Sequence, residues 1–172
     1  MHKEVADFLT RMKAAHPNVF LAQRVLEAGS LDVNGTPRPF FPLAEEYVGV
    51  DWRMGPGVDK VSLMHEYCGR PFGYLDVAIS TEAFEHDPYW AFSFMRMIDL
   101  VRPGGAIIVT AAGLEREPHC LETSPKAGYY KGLAPQQLLE VALKQARWKS
   151  VLVEDDPVAK DVRLMAVGKI PV

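Results

Sequence analysis

VLEAGSLDVNG, residues 25–35, decides how this chain is read. Val25 and Leu26 begin a short apolar run of strand type, and Gly29 and Gly35 give the loop behind it backbone freedom. Glu27 sits at the mouth of that loop, and Asp32 lies inside it. A glycine loop after a strand ordinarily cradles phosphate on free N–H groups. Two carboxylates repel phosphate, so this loop is built for a cation.

Working outward, runs of strand length recur along the chain: 24–29, 46–51, 75–80, 106–112, 150–155 and 162–170, with a weaker one near 58–63. Several are continuous and rich in Val and Ile, as strands covered on both faces tend to be. Helical patterns fall between them. Val5, Phe8, Leu9 and Met12 share one face of a helix within an N-terminal segment 1–20. Pro88 opens a helix over 88–101, and Pro135 opens one over 135–147. Strands alternating with helices predict an α/β domain, a doubly wound and mostly parallel sheet with helices on both faces. The last two runs, joined only by DPVAKD, read as a hairpin, which makes one strand antiparallel. No linker or composition break divides residues 1–172, so one domain is expected. In such sheets the ligand lies beyond the carboxyl ends of the strands.

The chain has 172 residues, 48% hydrophobic and 24% charged, with a formal net charge of −3. That balance lacks the basic field of non-specific nucleic-acid binding. The N-terminal residues are amphipathic and charged rather than a signal peptide, and the apolar run 104–113 is about half a membrane span. A cytoplasmic protein is expected. Cys68 and Cys120 fall in no metal or redox spacing and read as reduced thiols; no metal site is expected.

At the end of the second run stands Asp51, followed by Trp52 and Arg53. A carboxylate there can accept hydrogen bonds from the vicinal hydroxyls of a ribose. A dinucleotide loop is missing, because the glycines do not follow G-x-G-x-x-G and three prolines succeed them. S-adenosylmethionine meets the demand for a cation: it carries a nucleoside, a sulfonium and an ammonium, and no phosphate.

VLEAGSLDVNG, YVGVDWRMGPGVD, LDVAISTEAFEH and LVRPGGAIIVTAAG together resemble the class I S-adenosylmethionine-dependent methyltransferases, the small methyltransferase-domain group. The likeness runs from about residue 24 to 113. It implies a seven-stranded Rossmann-like sheet whose last strand is antiparallel. It implies that Glu27, Gly29 and Ser30 surround the methionine part of the cofactor and that Asp51 binds the ribose. Trp52 and Arg53 would flank the adenine. Met64 and His65 fall where many members carry an acid toward the adenine amino group; this chain has none. Ser80 and Thr81 end the fourth strand, near the transferred methyl, and Glu85-His86 resembles a pair frequent in the family.

His86, His119, Tyr129 and Tyr130 are the candidate catalytic groups, the last three in a long segment, 113–133, that reads as a substrate lid. Asp32 reads as stabilising its own loop, Gly55-Pro56-Gly57 as a turn, and Arg102-Pro103-Gly104-Gly105 as a helix-to-strand turn. The expected activity is methyl transfer to a small-molecule acceptor of unspecified chemistry, with a second subunit or partner protein completing the acceptor pocket. Two rival readings stand beside it: a non-catalytic module binding the same cofactor, and a nicotinamide-dependent oxidoreductase.

Overall fold

The computed structural model describes residues 2–119, 122 and 124–171. Seven strands form one sheet: β1 (Arg24–Ala28), β2 (Glu46–Asp51), β3 (Lys60–Val61), β4 (Leu75–Thr81), β5 (Val101–Ala112), β6 (Arg147–Asp156) and β7 (Asp161–Ile170). Their order is β3-β2-β1-β4-β5-β7-β6. β7 runs antiparallel to both β5 and β6, and the other pairs are parallel. The terminal hairpin read from the sequence is therefore a strand inserted between β5 and β6.

Alternation along the strands divides the core into two layers. Leu26, Ala28, Val48, Val50, Ile107 and Val109 face helices α2 (Trp90–Leu100) and α3 (Pro135–Gln145). Val25, Val77, Ile79, Ile108 and Met165 face helix α1 (Lys3–Ala15), which buries Val5, Phe8, Leu9 and Met12 against them. Burying an aliphatic side chain of this kind contributes about 1.5–3 kcal/mol. α2 starts where Asp87 accepts the Tyr89 amide at 2.7 Å and the Ser93 hydroxyl at 2.5 Å.

The alternation of strands and helices is incomplete. No α-helix joins β1 to β2 or β2 to β3. Pro37, Pro39 and Pro42 lack the N–H groups a helix needs, and the segment makes only a short 3₁₀ turn, Arg38–Phe40. Phe41 takes the place of a helix, stacking on Phe20 with ring centroids 5.3 Å apart. β5 also begins earlier than expected. Val101 pairs with Leu75, residues 102–105 loop outward, and pairing resumes at Ala106 opposite Val77. The RPGG turn thus lies inside a strand, as an irregularity rather than a connection.

Among the described residues no helix is long and apolar enough to cross a membrane. Cys68 is exposed with a free thiol, whereas Cys120 lies outside the described residues.

Candidate functional site

A cleft opens at the carboxyl ends of β1, β2 and β4. It is partly open to solvent and is lined by residues from all three strand ends. One end is formed by the loops after β1 and β2. Glu27 is 3% exposed there, and its Oε2 accepts the Tyr47 hydroxyl at 2.8 Å and the Thr36 hydroxyl at 3.2 Å. Burial pushes its carboxyl up to about 7, against those two donors and the charge of Arg38. A cation in the cleft would favour the ionised form.

The glycine loop is held by its neighbours. Gly29 adopts φ +72°, and a Cβ there would lie 2.2 Å from the Ala83 Cβ, so the loops after β1 and β4 touch. Asp32 Oδ1 accepts the Gly35 amide at 2.6 Å, the local turn expected of it. Gly55-Pro56-Gly57 is more than a turn. Pro56 carbonyl receives the Asp32 amide at 2.8 Å, and a Cβ on Gly57 would lie 2.5 Å from the Ser30 carbonyl oxygen. Asp51, 8% exposed, accepts the Leu31 amide on Oδ2 and the Arg53 amide on Oδ1, both at 3.2 Å. A carboxylate has about four acceptor positions, so both oxygens keep capacity for a ligand.

The other end is formed by the residues after β4. Glu82 has φ 52°, a left-handed conformation that costs a non-glycine residue of order 1–3 kcal/mol. Its carboxylate accepts the Thr110 hydroxyl and the Arg116 guanidinium, each at 2.9 Å. Arg116 also pairs with Asp161, and its other terminal nitrogen lies 3.0 Å from His2 Nε2. Burial, then the nearby Asp161 charge, pushes the Glu82 carboxyl up to about 7. Glu85 is wholly buried, with neither oxygen in a hydrogen bond, and its carboxyl is raised well above the usual range by burial and by Glu82.

His86, His119 and Tyr130 meet, although they lie far apart in sequence. Tyr130 sits 5.1 Å from each imidazole, ring centroid to centroid, and the two imidazoles are 5.8 Å apart. His86 is 8% exposed, its Nδ1 has no hydrogen-bond partner, and burial lowers its pKa to about 4. The ring is therefore neutral at pH 7. The 113–133 segment is pinned at its ends: the Leu133 amide reaches the Ala112 carbonyl and the Lys131 amide the Glu85 carbonyl, both at 2.8 Å.

Of the residues singled out from sequence, Glu27, Gly29, Asp51, Trp52, Met64, Ser80, Thr81, His86 and His119 line the cleft. Ser80 gives its hydroxyl to the Ala28 carbonyl at 3.0 Å, so it also ties β4 to β1. Ser30, Arg53, His65, Tyr129 and Tyr130 are not in the lining. Ser30 is buried against Gly49, Arg53 turns over the Trp52 ring, and His65 packs on Tyr89 at 4.8 Å. Tyr130 stands behind the two histidines. Glu82 and His2 also line the cleft and were not singled out by local pattern; the positive φ of a non-glycine residue is visible only in the fold. Among the described residues, no group of three or more His, Cys, Asp or Glu side chains is arranged to hold a metal ion.

Seven strands in this order, with β7 antiparallel and the cleft beyond β1, β2 and β4, define the fold of the class I S-adenosylmethionine-dependent methyltransferases. Solved structures share that fold. The chain is similar to 1,6-didemethyltoxoflavin-N1-methyltransferase of Burkholderia thailandensis, solved with bound 1,6-didemethyltoxoflavin and S-adenosylhomocysteine: TM-score 0.65, 18% identity, 95% of this chain and 77% of that one. It is similar to a SAM-dependent methyltransferase of Archaeoglobus fulgidus, with TM-score 0.65 and 16% identity over 93% of this chain and 92% of that one. A third likeness is to the N-methyltransferase NodS of Bradyrhizobium japonicum in complex with S-adenosylhomocysteine, at TM-score 0.61 and 11% identity, covering 95% and 87%. No family model and no curated protein sequence matches the chain.

Proposed function

We propose that the protein is an S-adenosylmethionine-dependent methyltransferase acting on a small molecule. The observation that carries this reading is Glu27: a buried carboxylate at the mouth of a glycine loop, held by two hydroxyls and lacking an ion-pair partner among the described residues. It suits the ammonium and sulfonium of the cofactor and opposes a pyrophosphate, which disfavours the nicotinamide reading. Asp51 accepts the ribose hydroxyls, and Gly29 lets the backbone approach the methionine part. Trp52, Leu63 and Met64 offer apolar surface to the adenine.

When bound, the cofactor supplies an electrophilic methyl group on its sulfonium, and the electron pair of the breaking C–S bond stays on sulfur. The chain's own work is to hold the acceptor in line and keep water out, an orientation effect that can contribute roughly 7–11 kcal/mol. His86, neutral at pH 7 and with an unpartnered Nδ1, offers the methyl acceptor a hydrogen-bond acceptor. The segment 113–133 supplies His119 and Pro125 to the cleft and serves as the acceptor-side cover.

Calorimetric titration with S-adenosylhomocysteine tests the reading, with NADH as control. Micromolar binding is expected for the first and none for the second. Asp51→Ala should weaken binding about ten- to a hundredfold through the loss of one or two charge-assisted bonds. A folded protein that ignores S-adenosylhomocysteine ends the proposal.

A further inference from the structure

The charged groups lining the cleft are all of one sign. Glu27, Asp51, Glu82 and Asp87 reach it, with three histidines, and no Lys or Arg side chain does among the described residues. The nearest guanidinium at the β4 end, Arg116, is already engaged by Glu82, Asp161 and His2. Arg163, the next, is held by Asp156 at 2.9 Å, and by Glu154 and Asp161 at longer range. Glu27 and Asp51 belong to the cofactor end. Glu82 and Asp87 are left at the other.

We infer that the acceptor is a small molecule presenting a basic nitrogen, an amine or a basic nitrogen heterocycle, whose N–H faces the Glu82 carboxylate. This rests on the methyltransferase reading above and names its substrate class. Three observations converge on it. Glu82 lines the cleft and is held in a left-handed conformation at the end of β4. Thr110 and Arg116 occupy two of its acceptor positions and fix its direction, leaving others open. His86, more than nine-tenths buried, lines the same end with an unpartnered Nδ1.

An anionic acceptor finds no counter-charge here, and desolvating an unpaired anion beside carboxylates costs far more than it returns. A neutral alcohol finds hydrogen bonds but gains nothing from the field. A protonated amine gains from both. The groups facing Glu82 are Thr110 on β5, Asp161 and Arg163 on β7, Arg116 from the segment after β5, and the buried Glu85 beside it. Burial and Asp161 leave its carboxylate ready to take a proton near neutrality. The bound ammonium would give one N–H proton to Glu82, freeing a lone pair to take the methyl carbon as the C–S bond breaks with its electron pair staying on sulfur, and Glu82 would return the proton to water at the cleft mouth.

The test uses three probes of one shape and three charges: phenethylamine, 2-phenylethanol and 3-phenylpropanoate. Each is titrated by NMR at up to millimolar concentration into the protein saturated with S-adenosylhomocysteine. The amine is expected to bind at least tenfold more tightly than the other two. Glu82→Gln should remove that preference while leaving S-adenosylhomocysteine affinity unchanged; if the variant does not fold, the charge series on the unaltered protein decides. Equal binding of the three, tighter binding of the carboxylate, or no binding of the amine would overturn the inference. Amine preference without S-adenosylhomocysteine binding, measured on the unsaturated protein, would keep the cation-selective site and overturn only the methyltransferase reading.

Discussion

The Tyr47 hydroxyl donates to the Glu27 carboxylate at 2.8 Å, from the strand next to the one that carries Glu27. Arg38 lies over the same tyrosine ring, 4.3 Å from its centroid. This buried acid is thus oriented by a neutral donor, with Arg38 turned to the ring rather than to the carboxylate.

Tyr47→Phe removes one of the two donors that oppose burial of Glu27, so the carboxyl rises further. A lost hydrogen bond to a charged group costs about 1.5–3 kcal/mol. S-adenosylhomocysteine affinity should fall by about tenfold or more, read by calorimetry, with the fold intact. Unchanged affinity would take Glu27 out of cofactor binding.

On the proposed reading, Glu27 should make cofactor binding a proton-releasing event. Its carboxyl is near 7 in the folded chain against about 4.5 unfolded, so the native state holds the extra proton between those values. Stability is lost as pH rises through this window, and Glu82 acts in the same direction. His86 works oppositely, because its lowered pKa loses stability as pH falls from 6.5 toward about 4. An ammonium arriving at pH 6 should expel the Glu27 proton, and the calorimetric enthalpy should then vary with the buffer's ionisation heat. Glu27→Gln should abolish that dependence, and its stability relative to the parent should improve as pH rises from 4.5 to 7.

Gly29→Ala joins two penalties, a φ of +72° and a Cβ placed 2.2 Å from the Ala83 Cβ. Overpacking of this kind costs about 1–3 kcal/mol. Chemical denaturation should show that loss. Ligand affinity should drop as well, because the loops after β1 and β4 must separate.

Asp161 is 1% exposed and pairs with both Arg116 and Arg163. Asp161→Asn leaves two largely buried guanidiniums short of a counter-charge, and breaking such a pair costs about 3–5 kcal/mol. Denaturant midpoints measure it. Arg116→Met combined with Asp161→Asn should recover part of the loss; strict additivity would show that the pair is not coupled.

Much of the fold was legible because strands 24–28, 46–51, 75–81 and 161–170 are apolar runs with turn residues at their ends, and period-2 burial follows from local pattern alone. The same holds for Glu27 and Asp51, which sit where a strand must stop. No α-helix was read between the first three strands, and none forms there. The prolines that forbid one were visible, but the aromatic stack of Phe20 and Phe41 that takes its place was not.

By itself, the sequence determined the strand-and-helix order, the acid at the mouth of the glycine loop and the class of sheet, since these depend on neighbours along the chain. Tertiary structure alone decided that His86, His119 and Tyr130 meet, that Gly55-Pro56-Gly57 carries the glycine loop, and that Glu82 is among the acids lining the cleft. Those are contacts between distant segments. They arise when burial of two apolar layers fixes strand ends beside one another, and no local periodicity encodes which polar groups that packing strands together.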